Sequence, residues 1–302
     1  MTDTTKPKVI ITGASGLLGR AVFNCFQNAG FDVIGTAFSR SGEKLVKLNL
    51  TDFDAVKQFI AKEKPATIIH CAAERRPDVA AKDTEGARKL NIAATENIAQ
   101  AAKEAGSWLV YISTDYVFDG NNPPYEVDAK VNPLNFYGQT KYEGEVTLSK
   151  TYPEAAILRV PILYGPTEYD SESAVNILLE IIKNTAKTVD MDDFQARYPT
   201  NVEDIAKVLR QMTERAVFKK EALSGVFHYS APEKMTKYQI CAVFANILSL
   251  PIDHLKPIRE APKEPVATRP NDAHLATTRL ETLGFDLTAV KFEDWFRTYL
   301  RQ

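Results

Sequence analysis

Lys8-Val9-Ile10-Ile11-Thr12-Gly13-Ala14-Ser15-Gly16-Leu17-Leu18-Gly19 joins a β-branched run, a glycine turn and the opening of an amphipathic helix. Glycines at 13, 16 and 19 permit a tight turn, let backbone amides approach a pyrophosphate and pack the helix on the strand, and the helix N-terminus favours the anion. A bare glycine pattern also fits a structural turn. Here a strand precedes it and a helix follows, which is the context a dinucleotide site requires.

Working outward, the same alternation continues to Leu163. Short runs at Asp32 to Ala37, Thr67 to His70, Trp108 to Ser113 and Ala156 to Val160 are mostly continuous and apolar, as for parallel strands covered on both faces. Helical patterns at Leu17 to Asn28, Asp52 to Glu63, Thr84 to Ala105 and Leu134 to Leu148 separate them. The class expected is α/β, a Rossmann-type doubly wound parallel sheet with ligands beyond the strands' carboxyl ends. After Gly165 the rhythm breaks into helical patterns at Ser173 to Lys183, Val202 to Glu214 and Thr236 to Leu248, with proline-rich connections. Residues 1–165 are read as the dinucleotide-binding domain. Residues 166–302 are read as mainly a smaller mixed α/β substrate lobe, with segments returning to the first domain.

The 302 residues carry 37 basic and 39 acidic side chains, so no electrostatic footprint for nucleic acid arises. Three cysteines, Cys25, Cys71 and Cys241, lie far apart, which excludes a disulfide framework or zinc site built from them. His228, His254 and His274 share no ligand interval, and no metal is expected. With no signal segment and no span long enough to cross a bilayer, the chain is expected to be cytoplasmic, without a membrane partner.

The second run ends Phe38-Ser39-Arg40, with no carboxylate for ribose hydroxyls. Ser39 and Arg40 suit a 2′-phosphate, which favours NADPH/NADP; a solvated loop arginine is the alternative reading. Tyr137-Gly138-Gln139-Thr140-Lys141 places Tyr137 and Lys141 one helical turn apart. A phenol is a poor acid near neutrality, and an adjacent ammonium lowers its pKa enough for proton donation. Thr114, delivered by the run ending at Ser113, is placed to orient a carbonyl oxygen. Cys71 reads either as an acid or as pocket lining, the latter favoured because free cysteine is usually buried. Glu74 and Lys82 are further acid or base candidates. Arg75, Arg76 and Arg269 suit a diphosphate, although the doublet equally suits a solvated loop. Tyr198 reads as a sugar or base contact, or equally as packing.

Together Gly13-x-x-Gly16-x-x-Gly19, Ser113-Thr114 and Tyr137-x-x-x-Lys141 resemble the extended short-chain dehydrogenase/reductase superfamily. Ser113 to Gly120, Pro133 to Lys141 and Arg269-Pro270 look like dTDP-4-dehydrorhamnose reductases. His70 to Val79, Asn122 to Tyr125, Pro161 to Gly165 and Glu172 to Val175 look still more like the regulatory β subunit of methionine adenosyltransferase, and UDP-4-keto-6-deoxyglucose 3,5-epimerase/4-reductases are also similar.

The first resemblance implies NADPH-dependent reduction, at C4, of a UDP- or dTDP-linked 4-keto-6-deoxy sugar in rhamnose biosynthesis, with 3,5-epimerisation as an optional addition. Thr114, Tyr137 and Lys141 would be catalytic. The second implies an NADP-binding regulatory subunit whose partner is a methionine adenosyltransferase catalytic subunit; a homodimer is the other candidate assembly. The resemblances place Gly13, Ser15, Gly16, Leu17, Leu18, Gly19, Phe38, Ser39, Arg40, Asn49, Leu50, Cys71, Ala72, Ala73, Arg75, Tyr137, Lys141 and Leu163 around the cofactor. Glu74, Thr114, Asp115, Tyr116, Tyr198 and Arg269 fall on the substrate side. Asn49 stands where many relatives carry an aspartate.

Overall fold

A computed structural model describes residues 7–39, 45–261 and 267–301. β1 (Lys8–Thr12) runs into α1 (Leu17–Asn28), followed by β2 (Asp32–Ala37), β3 (Leu45–Lys47), α2 (Phe53–Glu63) and β4 (Thr67–His70). Short α3 (Pro77–Lys82) and α4 (Thr84–Arg88) pass through a π-turn at Lys89–Ala93 into α5 (Ala94–Ala105), then β5 (Trp108–Thr114), α6 (Phe136–Thr151) and β6 (Ala156–Val160). Next come β7 (Leu163–Tyr164), α7 (Leu178–Lys183), β8 (Val189–Asp192), β9 (Thr200–Asn201), α8 (Val202–Val217) and β10 (Gly225–His228). The last elements are α9 (Lys237–Leu248), β11 (Leu255–Ile258), α10 (Thr278–Thr282) and α11 (Phe292–Tyr299).

Seven strands form one parallel sheet in the order β10-β6-β5-β4-β1-β2-β3. The chain leaves β1 toward β3 on one side and returns to β4 on the other. The carboxyl ends of β1 and β4 therefore open into different crossovers, and ligands of doubly wound sheets occupy the crevice between them. Apolar strands follow from two-sided cover. On one face Val9, Ile11, Val110 and Leu158 pack under Val22 and Phe26 of α1 and Ile205 and Leu209 of α8. On the other, Ile10, Ile68 and Leu109 pack under Val56 of α2, Ile98 of α5 and Leu148 of α6. A separate core around Tyr164, Leu179, Phe244, Phe292 and Phe296 holds α7, α9 and α11 together.

The α/β doubly wound sheet is as expected, but it has two strands that the sequence reading did not see. β3 is three residues long and mostly exposed at the sheet edge, so it has little apolar pattern. β10 is a four-residue strand among helices, and with α8 it brings the later half of the chain onto the sheet and its cover. The helix expected from Thr84 to Ala105 is interrupted at Lys89–Ala93, where the wider turn re-aims Asn91. The helix expected from Leu134 starts at Phe136 instead, because Asn135 Oδ1 accepts the Gly138 amide at 2.9 Å and so caps it.

Candidate active site

A cavity of about 940 Å3 opens at the switch point, and the glycine turn forms its floor. Gly13 has φ +65°, and a Cβ there would lie 2.8 Å from the Ala72 backbone; at Gly19 a Cβ would lie 2.2 Å from the Gly13 oxygen. Both glycines are fixed by packing. Gly16 differs: its Cβ would meet nothing nearer than 3.4 Å, so the protein itself has room for a side chain there. Gly16 lines the cavity and is also the N-cap of α1, where no side chain caps the first turn. Amides left open at a helix start, approached over a missing side chain, suit a pyrophosphate. Phe38 stands at the mouth, 71% exposed, as a flat apolar surface for a ring.

The opposite wall is made by the end of β5 and one face of α6. Tyr137 and Lys141 both line the cavity, as do Thr114, Asp115 and Tyr116. Lys141 is 2% exposed; its Nζ donates to the Ile112 carbonyl at 2.7 Å and lies 3.9 Å from the Tyr111 ring centre. Burial draws the ammonium down to about 7, opposed by Glu145 and Cys71. Burial also pushes the Tyr137 phenol well above its ordinary value, against a hydrogen bond with Thr114. The sequence reading expected the lysine to hold the phenol down. Desolvation instead dominates both groups, and Lys141 spends a hydrogen bond on the strand backbone. Burial likewise pushes the Asp115 carboxyl up to about 7, although the Thr114 hydroxyl donates to it at 3.1 Å and Arg197 attracts its charged form.

A third wall comes from the later half of the chain. Arg197, Lys237 and Arg269 converge on it. Arg197 is buried, donating to Gln195 Oε1 at 2.7 Å, and Arg269 pairs with Asp78 at 2.9 Å. Burial draws the Lys237 amine down, and the two guanidinium groups draw it further. A cationic wall with this much positive charge suits a multiply charged anion. Glu172, also in the lining, is held by Arg20 of α1.

Most of the expected site residues meet around this one cavity: the glycine turn with Ser15, Leu17 and Leu18, then Phe38, Asn49, Leu50, Cys71, Ala72, Ala73, Arg75, Leu163 and Arg269, besides the groups above. Burial pushes the Cys71 thiol up to about 12, which suits a wall rather than a thiolate. Ser39, Glu74 and Tyr198 are not in the lining. Glu74 turns to Arg76, its oxygens 2.9 Å from Nε and Nη2, and Tyr198 stacks on His274 with ring centres 4.0 Å apart. Arg40 lies outside the described residues. His70 and His228 are buried and drawn down to about 3 by desolvation.

Sequence reasoning missed the roles of Asn91, Lys237 and Glu145. Asn91 Nδ2 donates to the Glu74 carbonyl at 3.2 Å and Thr140 Oγ1 at 3.0 Å, and its Oδ1 accepts from the Glu74 amide at 2.9 Å, clamping the loop after β4 to α6. An asparagine inside a helical pattern is a weak former and was the available signal. Among the described residues no cluster of metal-ligating side chains forms, and no helix is long and apolar enough to cross a membrane.

Residues 7–300 match the RmlD substrate binding domain family. The chain is 46% identical over 293 residues to methionine adenosyltransferase 2 subunit beta of Danio rerio, covering 97% of this chain and 90% of that protein. The solved dTDP-4-dehydrorhamnose reductase of Clostridium acetobutylicum superposes with a TM-score of 0.84 at 27% identity, covering 97% of this chain and 98% of that one. The dTDP-4-dehydrorhamnose reductase of Bacillus anthracis, solved in complex with NADP, gives a TM-score of 0.84 at 25% identity and covers 99% of both chains.

Proposed function

The chain belongs to the RmlD substrate binding domain family, and from that membership we propose that it binds NADP(H) and reduces the C4 keto group of a nucleotide-linked 4-keto-6-deoxy sugar. The observation that carries this reading is the meeting of Thr114, Tyr137 and Lys141 on one wall of a cavity whose floor is the glycine turn. The residues fit the cofactor: Gly13 and Gly19 are filled by neighbouring backbone, while Gly16 leaves open space over uncapped amides. When bound, NADPH supplies hydride to the carbonyl carbon.

The chain's own groups do the rest. Thr114 orients the carbonyl oxygen, and the Tyr137 phenol gives that oxygen its proton. Lys141 places positive charge beside the phenol, easing the loss of that proton. Arg197, Lys237 and Arg269 receive the diphosphate of the substrate, UDP- or dTDP-linked, through charge-assisted hydrogen bonds. Incubating the protein with NADPH and UDP- or dTDP-4-keto-6-deoxyglucose, then identifying the sugar, tests this. A 4-hydroxy product supports it, inversion at C3 and C5 adds epimerisation, and unchanged sugar with both nucleotides rejects it.

A second reading is favoured by the 46% identity with methionine adenosyltransferase 2 subunit beta across 97% of the chain. Under it, NADP(H) is a resident ligand of a regulatory subunit. Mixing the purified protein with a methionine adenosyltransferase catalytic subunit tests that reading: a stable complex with altered turnover supports it, and neither effect removes it.

A further inference from the structure

Two consecutive residues of β5 each hold a different side chain of α6. The Ile112 carbonyl accepts from Lys141 at 2.7 Å and the Ser113 hydroxyl donates to Glu145 Oε1 at 2.5 Å, while Thr114, the next residue, shares the cavity wall with Tyr137. Tyr137, Lys141 and Glu145 follow one another at single-turn intervals on the helix. The first two line the cavity, whereas Glu145 is 3% exposed and forms no part of its wall.

Glu145 is gripped from the sheet. Arg159 Nε donates to Oε1 at 2.8 Å and Nη2 to Oε2 at 2.6 Å. Arg159 lies directly across from Ser113 in the β5–β6 register, and His228 lies across from Arg159 on β10, 3.2 Å from its Nη1. Serine, arginine and histidine thus form one row across three strands beneath a single carboxylate. Buried ion pairs are a poor means of stabilisation, since apolar groups of the same volume commonly do as well or better. Their placement therefore calls for another account.

That account lies one turn away. The groups that face Lys141 are His70 and Cys71 at the end of β4, Tyr111 on β5 and Glu145 on α6, while Tyr137 stands one turn before it on the same cavity wall. Desolvation keeps the histidine neutral and the thiol protonated, and Tyr111 offers only a ring face. Glu145 lies one turn after Lys141 on α6, and the two buried side chains reach neighbouring residues of β5, which brings the carboxylate near enough to favour the ammonium. We propose that Glu145, clamped by Arg159 and Ser113, is the positioning residue that favours the charged form of Lys141 one helical turn from Tyr137. It touches neither cofactor nor substrate and works through the lysine. The clamp keeps the carboxylate from turning toward the ammonium to form a direct pair, which would draw Lys141 out of the cavity wall.

This deepens the reading of Lys141 as the partner of Tyr137, so its test reads the lysine itself. Lysine labelled with carbon-13 at Cε is followed by nuclear magnetic resonance in the full chain, the Lys141 signal being assigned by its loss in Lys141→Met. Glu145→Gln keeps the bond with Ser113, and its Lys141 midpoint moves acidic by roughly one to two pH units from wild type. The double variant Glu145→Gln with Arg159→Met leaves no unpaired buried guanidinium, folds more readily and shifts in the same direction. A midpoint that stays put in either folded variant overturns the proposal. NADPH affinity, measured by fluorescence on the same samples, separates the two ideas. A wild-type protein that ignores NADPH defeats the cofactor reading, yet the lysine titration still decides the role of Glu145.

Discussion

Arg20 and Glu172 meet through two parallel hydrogen bonds, Nη1 to Oε1 at 2.7 Å and Nη2 to Oε2 at 2.5 Å, which tie the first turn of α1 to the segment ahead of α7. The carboxylate side chain is 6% exposed and the guanidinium 24%, so water does little to replace either partner. Glu172→Gln is expected to cost about 1.5–3 kcal/mol, the range for a hydrogen bond to a charged group. Urea unfolding at neutral pH measures it. Because Glu172 also lines the cavity, NADPH binding weakens in the same variant. Unchanged stability would show that the pair is merely a surface contact.

Gly16 and Gly19 differ in a way that binding and stability measurements can separate. Gly19→Ala drives a Cβ to within 2.2 Å of the Gly13 oxygen and is expected to destabilise the fold by roughly 2–3 kcal/mol. Gly16→Ala meets only ordinary contact at 3.4 Å, so its unfolding curve stays within about 0.5–1 kcal/mol of wild type. Its NADPH affinity nonetheless drops at least about tenfold, as amides behind a methyl group lose their approach to the pyrophosphate. Equal affinities in wild type and Gly16→Ala would remove the glycine turn from the cofactor site.

Tyr137→Phe removes one oxygen from the cavity wall and leaves the ring. Turnover is expected to fall by about 10²–10⁴, the range for loss of a positioned general acid, while NADPH affinity shifts no more than a few-fold. Single-turnover reduction compared with direct NADPH titration checks both halves. Under the regulatory reading the same variant still supports complex formation, so the two assays together discriminate between the functions.

Asp115 gives the molecule a pH dependence of defined sign. Its carboxyl is raised from an unfolded value of 3.8 to about 7, burial being the main cause. Between those values the folded chain holds a proton that the unfolded chain has released. Stability from this group is complete below pH 4 and is lost as the pH climbs toward 7, with a slope of up to about 1.4 kcal/mol per pH unit. Asp115→Asn lacks that slope. Denaturation of the two proteins across pH 4 to 7 should show wild type losing ground steadily to the variant. Parallel curves would place the carboxyl in water.

Much of the site was legible because its groups sit at local intervals. Gly13 to Gly19 and Tyr137 with Lys141 are spaced by turn and helix geometry, which sequence records directly. Arg197 and Lys237 are set by how the later half folds back over the sheet, which no local pattern states. Asn91 depends on a π-turn that adds width to an otherwise regular helix, and Glu145 is recognisable only once β5 and β6 are laid side by side. The direction of the Tyr137 shift was misjudged for the same reason. Counting a nearby ammonium is easy from sequence, whereas the depth of burial that outweighs it is a property of the assembled walls. β3 and β10 were missed because each is short, and the exposed edge strand β3 has little alternation to betray it.

The placement of residues 225–228 at the far rim of the sheet also bears on how the polypeptide is made. Until they emerge, β6 is an open edge ready to pair with another chain, and Arg159 lacks the imidazole that completes its row. Parallel pairing across such long stretches is slow to nucleate. A ribosome-bound product ending before residue 225 would carry the glycine turn and the tyrosine helix on a sticky, half-closed scaffold, prone to clumping with its siblings. Protection by chaperones during synthesis, rather than any gain in final stability, is then what should govern its yield.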